Sequence, residues 1–119
     1  MKLRYIMSLL LIYMLIVLAV FLLQRKLMYF PDRVTQGELE SQIAAVNLQP
    51  WPSSEQLQGF VSKDNLTHPK GTILVFHGNA GSAVHRTYYL DALQRLGYRV
   101  ILAEYPGYGT RTGSPSEES

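Results

Sequence analysis

Two glycine loops hold the residues whose types and spacing can do chemistry. His77-Gly78-Asn79-Ala80-Gly81-Ser82 follows the apolar run Thr72-Ile73-Leu74-Val75-Phe76, and Tyr105-Pro106-Gly107-Tyr108-Gly109-Thr110-Arg111-Thr112-Gly113 follows a second apolar run that begins at Arg99. In the first loop, Gly78 and Gly81 permit backbone dihedrals closed to other residues, so the N–H groups of Asn79 and Ala80 can converge near a helix N-terminus and bind an anion. If that anion is the transient oxygen of a tetrahedral acyl-transfer intermediate, the loop is an oxyanion hole. The same residues also describe a tight strand-to-helix turn, since glycine loops occur throughout βαβ folds, and spacing alone leaves both readings open.

The second loop tests a nucleotide-binding reading and fails it. Its glycines run G-x-G-x-x-x-G rather than G-x-G-x-x-G, Pro106 sits at the turn, and no strand follows to supply an acidic ribose partner. No G-x-x-x-x-G-K-[ST] is present either. A nucleophile is equally hard to find. Ser82 lies in Ala80-Gly81-Ser82-Ala83-Val84 and Ser114 and Ser116 lie beside Pro115, so none sits in a G-x-S-x-G elbow, and each reads as loop or cap. His68 and His85 belong to no paired motif and read as surface residues. The absence of cysteine excludes disulfides, thiolate nucleophiles and cysteine-ligated zinc. Neither a metal nor an organic cofactor is expected.

The elements around the first loop are those of a βαβ unit. Thr72–Phe76 is a continuous run of β-branched and aromatic residues around Leu74, as expected of a central parallel strand buried on both faces. After the loop, Tyr89, Leu93 and Leu96 recur at helical spacing and Gly97 closes the helix, before a second apolar strand over Arg99–Tyr105. Parallel strands joined by a helix need a crossover, which sets the fold class as α/β. Upstream, Gln56–Ser62 has strand character in Leu57, Phe60 and Val61, with polar turns at Lys63-Asp64-Asn65 and Pro69-Lys70-Gly71. Residues 32–55 read as irregular, with a short strand near Ile43–Val46. Asn65-Leu66-Thr67 fits a glycosylation sequon, a triplet common by chance.

At the N-terminus, Tyr5 to Leu23 carries no charge and is mostly Leu, Ile, Val and Met, and at about 1.5 Å rise per residue it spans a bilayer core. A cleaved signal peptide is the competing reading, with Val17-Leu18-Ala19 as its site, but the apolar run is longer than usual and continues past that site. Lys2 and Arg4 before the span are matched by Arg25, Lys26 and Arg33 after it, so charge assigns no side of the membrane. Tyr29 and Phe30 suit the headgroup region, and Pro31 ends any continuing helix. The organisation is thus a transmembrane anchor at 5–23, a juxtamembrane linker at 24–55 and an α/β domain from 56 to 119. The net charge of +2 resides at the anchor, since residues 27–119 hold seven basic and nine acidic side chains. A nucleic-acid partner is not expected, and the expected partner is membrane lipid through residues 5–23.

Taken in order, His77-Gly78-Asn79-Ala80-Gly81, Gly97-Tyr98-Arg99-Val100, Glu104-Tyr105-Pro106-Gly107-Tyr108-Gly109 and Gly113-Ser114-Pro115-Ser116 resemble the α/β-hydrolase superfamily. Within it the chain is similar to membrane-anchored bacterial serine hydrolases and their eukaryotic relatives of the Bem46 type, from about Leu27 to Ser119. The resemblance implies that residues 71–76 are the family's third strand, 86–96 its first helix and 99–105 its fourth strand. It implies that Asn79 or Ala80 donates a backbone N–H to the oxyanion, that Gly78 and Gly81 shape the loop, and that His77 braces it rather than acting as general base. It also implies a nucleophile after the fifth strand, then an acid and a histidine, all of which would lie beyond Ser119.

Ser114-Pro115-Ser116-Glu117 has capping-box order and announces a helix that has no body before Ser119. The expectation is the front part of an anchored serine hydrolase, inactive alone, whose acyl-type small-molecule substrate belongs only to a full-length product. A single-pass membrane protein that uses the βαβ unit for interaction is the alternative.

Overall fold

The computed structural model describes residues 2–64 and 66–116. Helix α1, Lys2–Met28, has no buried residue and a mean hydropathy of 3.0 over its most apolar window, long and apolar enough by length and composition to cross a membrane. It stops just before β1, Phe30–Pro31, because proline has no N–H to continue the helical ladder.

Segment 32–55, expected to be irregular, is ordered. It forms α2, Gln36–Ala45, and β2, Leu48–Trp51, and no strand forms at Ile43–Val46. The helix begins with a capping box, in which the Thr35 side chain accepts from the Glu38 N–H and the Glu38 carboxylate accepts from the Thr35 N–H at 2.7 Å. Leu39 and Ile43, four residues apart on one helical face, pack into the core, so the run that suggested a strand is the last turn of α2 and its C-cap. Pro50 is tolerated in β2 because the strand is at the sheet edge.

The main sheet has the order β2-β3-β6-β4, where β3 is Gly59–Ser62, β4 Thr72–Phe76 and β6 Arg99–Ala103. The β2–β3 and β3–β6 pairs are antiparallel, and β6–β4 is parallel with Thr72 opposite Arg99. Between the two parallel strands lie the minor strand β5, Ala80–Gly81, a 3-10 turn over Ala83–Arg86, and α3, Tyr88–Gln94.

The helix is shorter than expected and its inward face differs. Leu90 is buried and Leu93 packs against the core, whereas Tyr89 and Leu96 face outward. The inward face is Leu90 and Leu93, three residues apart, and Leu96 lies past the end of α3, so the Tyr89–Leu93–Leu96 stripe is not the core face. Gly97 closes α3 at φ +90°, the left-handed conformation expected of a C-terminal cap.

The core joins Leu48, Phe60, Val100 and Leu102 from the sheet to Leu39, Ala83, Val84 and Leu90 from the segments covering it. Strand β4 departs from the expectation of burial on both faces. It is the outer strand of the described sheet, and Leu74 and Phe76 on one face are 53% and 59% exposed. An apolar strand signals burial only when another layer covers each face, and here one face is covered. At the C-terminal side, Ser114, Pro115 and Ser116 are not helical, and Glu117 of the expected capping box lies outside the described residues, as does Asn65 of the sequon.

Candidate functional site

Both glycine loops leave the carboxyl ends of parallel strands, β4 and β6, so the topology brings them together. The link between them is a buried side-chain pair. His77 and Glu104, each the first residue past its strand, are 5% and 2% exposed, with Nε2 of His77 2.6 Å from Oε1 of Glu104. The other carboxylate oxygen accepts the Ala83 N–H at 3.1 Å, which also fixes the start of the 3-10 turn. Nδ1 of His77 lies 2.7 Å from the Gly78 carbonyl. A carbonyl only accepts, so Nδ1 carries the proton in this contact. Tyr105 and Tyr108 wedge the imidazole edge-on, with ring centroids at 4.8 and 4.9 Å.

Asn79 is held from the opposite side. Its carbonyl accepts from the Phe30 N–H at 2.9 Å and from the Tyr108 hydroxyl at 2.7 Å. Its side-chain amide donates to the Met28 carbonyl at 2.6 Å, the last residue of α1. Parallel pairing of β1 with β5, Phe30 opposite Ala80 and Pro31 opposite Gly81, extends this attachment. The second loop is tied to the same segment, since Arg33 donates from Nε to the Gly107 carbonyl at 3.0 Å and Gly109 N–H donates to the Asp32 carbonyl at 2.8 Å. Gly107 and Gly109 have positive φ of 84° and 54°, and a Cβ on Gly109 would stand 3.2 Å from the Glu104 carboxylate.

A cavity of about 200 Å³ is lined by His77, Gly78 and Asn79 together with Tyr29, Tyr105 and Tyr108. Gly78 and Asn79 are solvent-exposed. Of the residues expected at the site, His77, Gly78 and Asn79 border this cavity. Ala80 is committed to β5 and does not line it, and Gly81, at φ +84°, turns the chain toward the 3-10 segment. Burial, and then the neighbouring Tyr29, Glu104 and Tyr105, push the Tyr108 hydroxyl above the ordinary phenol value. Among the described residues no three His, Cys, Asp or Glu side chains cluster as metal ligands do.

Sequence reasoning gave Glu104, Tyr108 and Phe30 no role at this site. Glu104 carries the one readable signal, a carboxylate ending an otherwise apolar strand, which must find a partner if buried. The contributions of Tyr108 and Phe30 depend on contacts 29 and 49 residues away along the chain, which local pattern does not encode.

No family model matches the sequence, and no solved structure matches it either. Among curated proteins, lysophosphatidylserine lipase ABHD12 of Macaca fascicularis is 35% identical over 69 residues, covering 56% of this chain and 17% of the lipase. The Gallus gallus protein of the same name is 45% identical over 53 residues, 43% of this chain and 13% of the relative. The chain is similar in part to a lipase. An uncharacterized protein of Mycobacterium tuberculosis is 33% identical over 100 residues, which is 80% of this chain and 34% of that protein. The chain therefore spans only a minor fraction of the length of the curated relatives it matches.

Proposed function

We propose that this chain carries the oxyanion-stabilising loop of a single-pass, membrane-anchored serine hydrolase of the α/β-hydrolase superfamily, of the Bem46 type, which cleaves an ester, thioester or amide. The observation that carries the reading is the Asn79 peptide bordering a cavity at the carboxyl ends of two parallel strands, the place where open α/β sheets hold their ligands. The sheet order and the partial similarity to a lipase support it. Of the two candidate donors the Asn79 N–H is favoured, because Asn79 borders the cavity and Ala80 does not. Losing such a donor typically costs about 3–4 kcal/mol of transition-state stabilisation. The attacking serine would come from residues outside this chain, since no G-x-S-x-G is present here.

The relatives' name makes a lysophospholipid acyl ester the first substrate to offer a longer product. The test is to translate the gene beyond codon 119 and express whatever open frame continues. A strand followed by G-x-S-x-G and later an Asp and a His, with fluorophosphonate labelling of that serine and none of the 119-residue chain, is the expected result. A continuation that encodes no such elbow sinks the hydrolase reading. In that case the exposed Leu74 and Phe76 favour the second reading, a membrane protein whose sheet is completed by a partner.

A further inference from the structure

We infer that Glu104 is a positioning residue for the Asn79 N–H, acting through His77. The inference rests on the oxyanion-loop reading above and deepens it. A trans peptide is planar, and its N–H points opposite to its C=O. The Gly78–Asn79 unit is trans, and its carbonyl is the acceptor of His77 Nδ1 at 2.7 Å. Whatever fixes the His77 ring therefore fixes the direction of the Asn79 N–H on the far side of the same plane.

Glu104 fixes that ring. Its Oε1 stands 2.6 Å from Nε2, which sets the ring's rotation, and its burial leaves no water to take that place. The tautomer is set by the Gly78 carbonyl, and the carboxyl group fits it. Because Nδ1 must donate to a carbonyl, the Nε2–Oε1 contact needs a second proton, carried either by Nε2 or by the carboxyl group. Both arrangements keep the Nδ1 proton, whereas a His77 protonated on Nε2 alone would set two acceptors, Nδ1 and the Gly78 oxygen, against each other.

Glu104 is itself held by every polar group it has. Its second oxygen takes the Ala83 N–H, its N–H donates to the Gln58 carbonyl at 2.9 Å, and its carbonyl accepts from Arg111. The Asn79–Ala80 peptide is held separately, by Tyr108 and Phe30. This independence makes the inference testable. Loss of Glu104 should turn the Asn79 N–H and leave the Ala80 N–H in place.

The experiment is NMR on the full chain in dodecylmaltoside micelles, reading the His77 ring nitrogens and the residual dipolar couplings of the Asn79 and Ala80 amides. The wild type should show a proton on Nδ1. Glu104→Gln should keep it, since its amide can donate to Nε2 while its carbonyl accepts from Ala83. Glu104→Met should keep that proton, which the Gly78 carbonyl holds, but free the ring's rotation and change the Asn79 coupling with the Ala80 coupling unchanged. A simple structural peg for Ala83 would move the Ala83 amide and not the Asn79 coupling. If Glu104→Met does not fold, the wild-type Nδ1 proton and the Asn79 coupling in Glu104→Gln still decide. A wild-type ring protonated on Nε2 alone overturns the inference, as does Glu104→Gln shifting the Asn79 coupling or a folded Glu104→Met leaving it unchanged.

Added octylphosphonate separates this inference from the reading beneath it. The Asn79 amide shift should respond in the wild type and Glu104→Gln and weaken several-fold in Glu104→Met. A wild type with the Nδ1 proton in place and no response at Asn79 overturns the oxyanion reading and the purpose assigned to Glu104 with it.

Discussion

Tyr108 is the side chain on which the loop, the cavity and strand β1 converge. Its hydroxyl supplies one of two donors to the Asn79 carbonyl, and the residue is almost fully buried. Tyr108→Phe keeps the ring packed against His77 and removes only this donor, so the expected loss is about 1 kcal/mol of stability, read by urea denaturation. The loop should persist, because Phe30 still donates. The raised Tyr108 hydroxyl also makes a pH prediction. A group whose value is higher in the folded state contributes stability that is complete below the unfolded phenol value of about 10 and is lost as pH rises through the raised folded value. Unfolding followed from pH 8 upward should therefore show a steeper alkaline loss in the wild type than in Tyr108→Phe. Equal slopes would mean that the buried hydroxyl is not the titrating group.

Among the elements, α2 and the β3–β6 pair make the clearest predictions. The Glu38 carboxyl is held below its ordinary value by the Thr35 backbone N–H and then by the Thr35 hydroxyl. A depressed carboxylate contributes stability above its unfolded value that disappears as pH falls through the folded value, so the cap should loosen only in acid. Thr35→Ala should remove the cap at neutral pH for about 1 kcal/mol, seen as faster amide exchange in the first turn of α2. Gly59 is a sharper case. A Cβ there would stand 2.4 Å from the Leu102 carbonyl, which is backbone and cannot rotate away. Gly59→Ala should force β3 off β6 and abolish the cooperative unfolding transition, while Gly37→Ala, with open space around it, should not. On the outer strand, Leu74→Lys should reduce aggregation with little change in stability, since its side chain is half exposed at an unpaired edge.

The molecule as a whole is elongated, 78 × 30 × 21 Å, with a radius of gyration of 21.0 Å. A compact domain of 100 residues has about 13 Å, and the difference is the helix that stands clear of the sheet with no buried residue. Among the described residues none covers the apolar surface of this helix. The chain should fractionate with membranes and resist carbonate extraction, and placing arginine at both Leu11 and Ile16 should release it, each charge costing about 2.5–3.5 kcal/mol at the bilayer centre. The end of α1 and β1 are also tied to the site, since Met28 and Phe30 bond directly to the loop residue Asn79.

Local pattern determined what local energetics govern. The uncharged stretch from Tyr5 to Leu23 made a long apolar helix, the apolar runs at 72–76 and 99–103 made parallel strands, and Gly97 closed the helix between them. The Thr35–Glu38 cap went unread with the rest of residues 32–55, and the short apolar run at Ile43–Val46 reads as strand, because four residues do not distinguish a strand from the last turn of a helix. The α3 face differs from the expected stripe because Leu90 and Leu93, also at helical spacing, turn inward, while Leu96 lies past the end of the helix. The site was half legible. Glycines and a histidine marked the first loop, but the burial of Glu104 against His77 and the binding of Asn79 by Tyr108 and Phe30 exist only once β4 and β6 lie side by side and β1 returns to β5. Those contacts join residues tens of positions apart, so tertiary structure alone brings them within hydrogen-bonding distance.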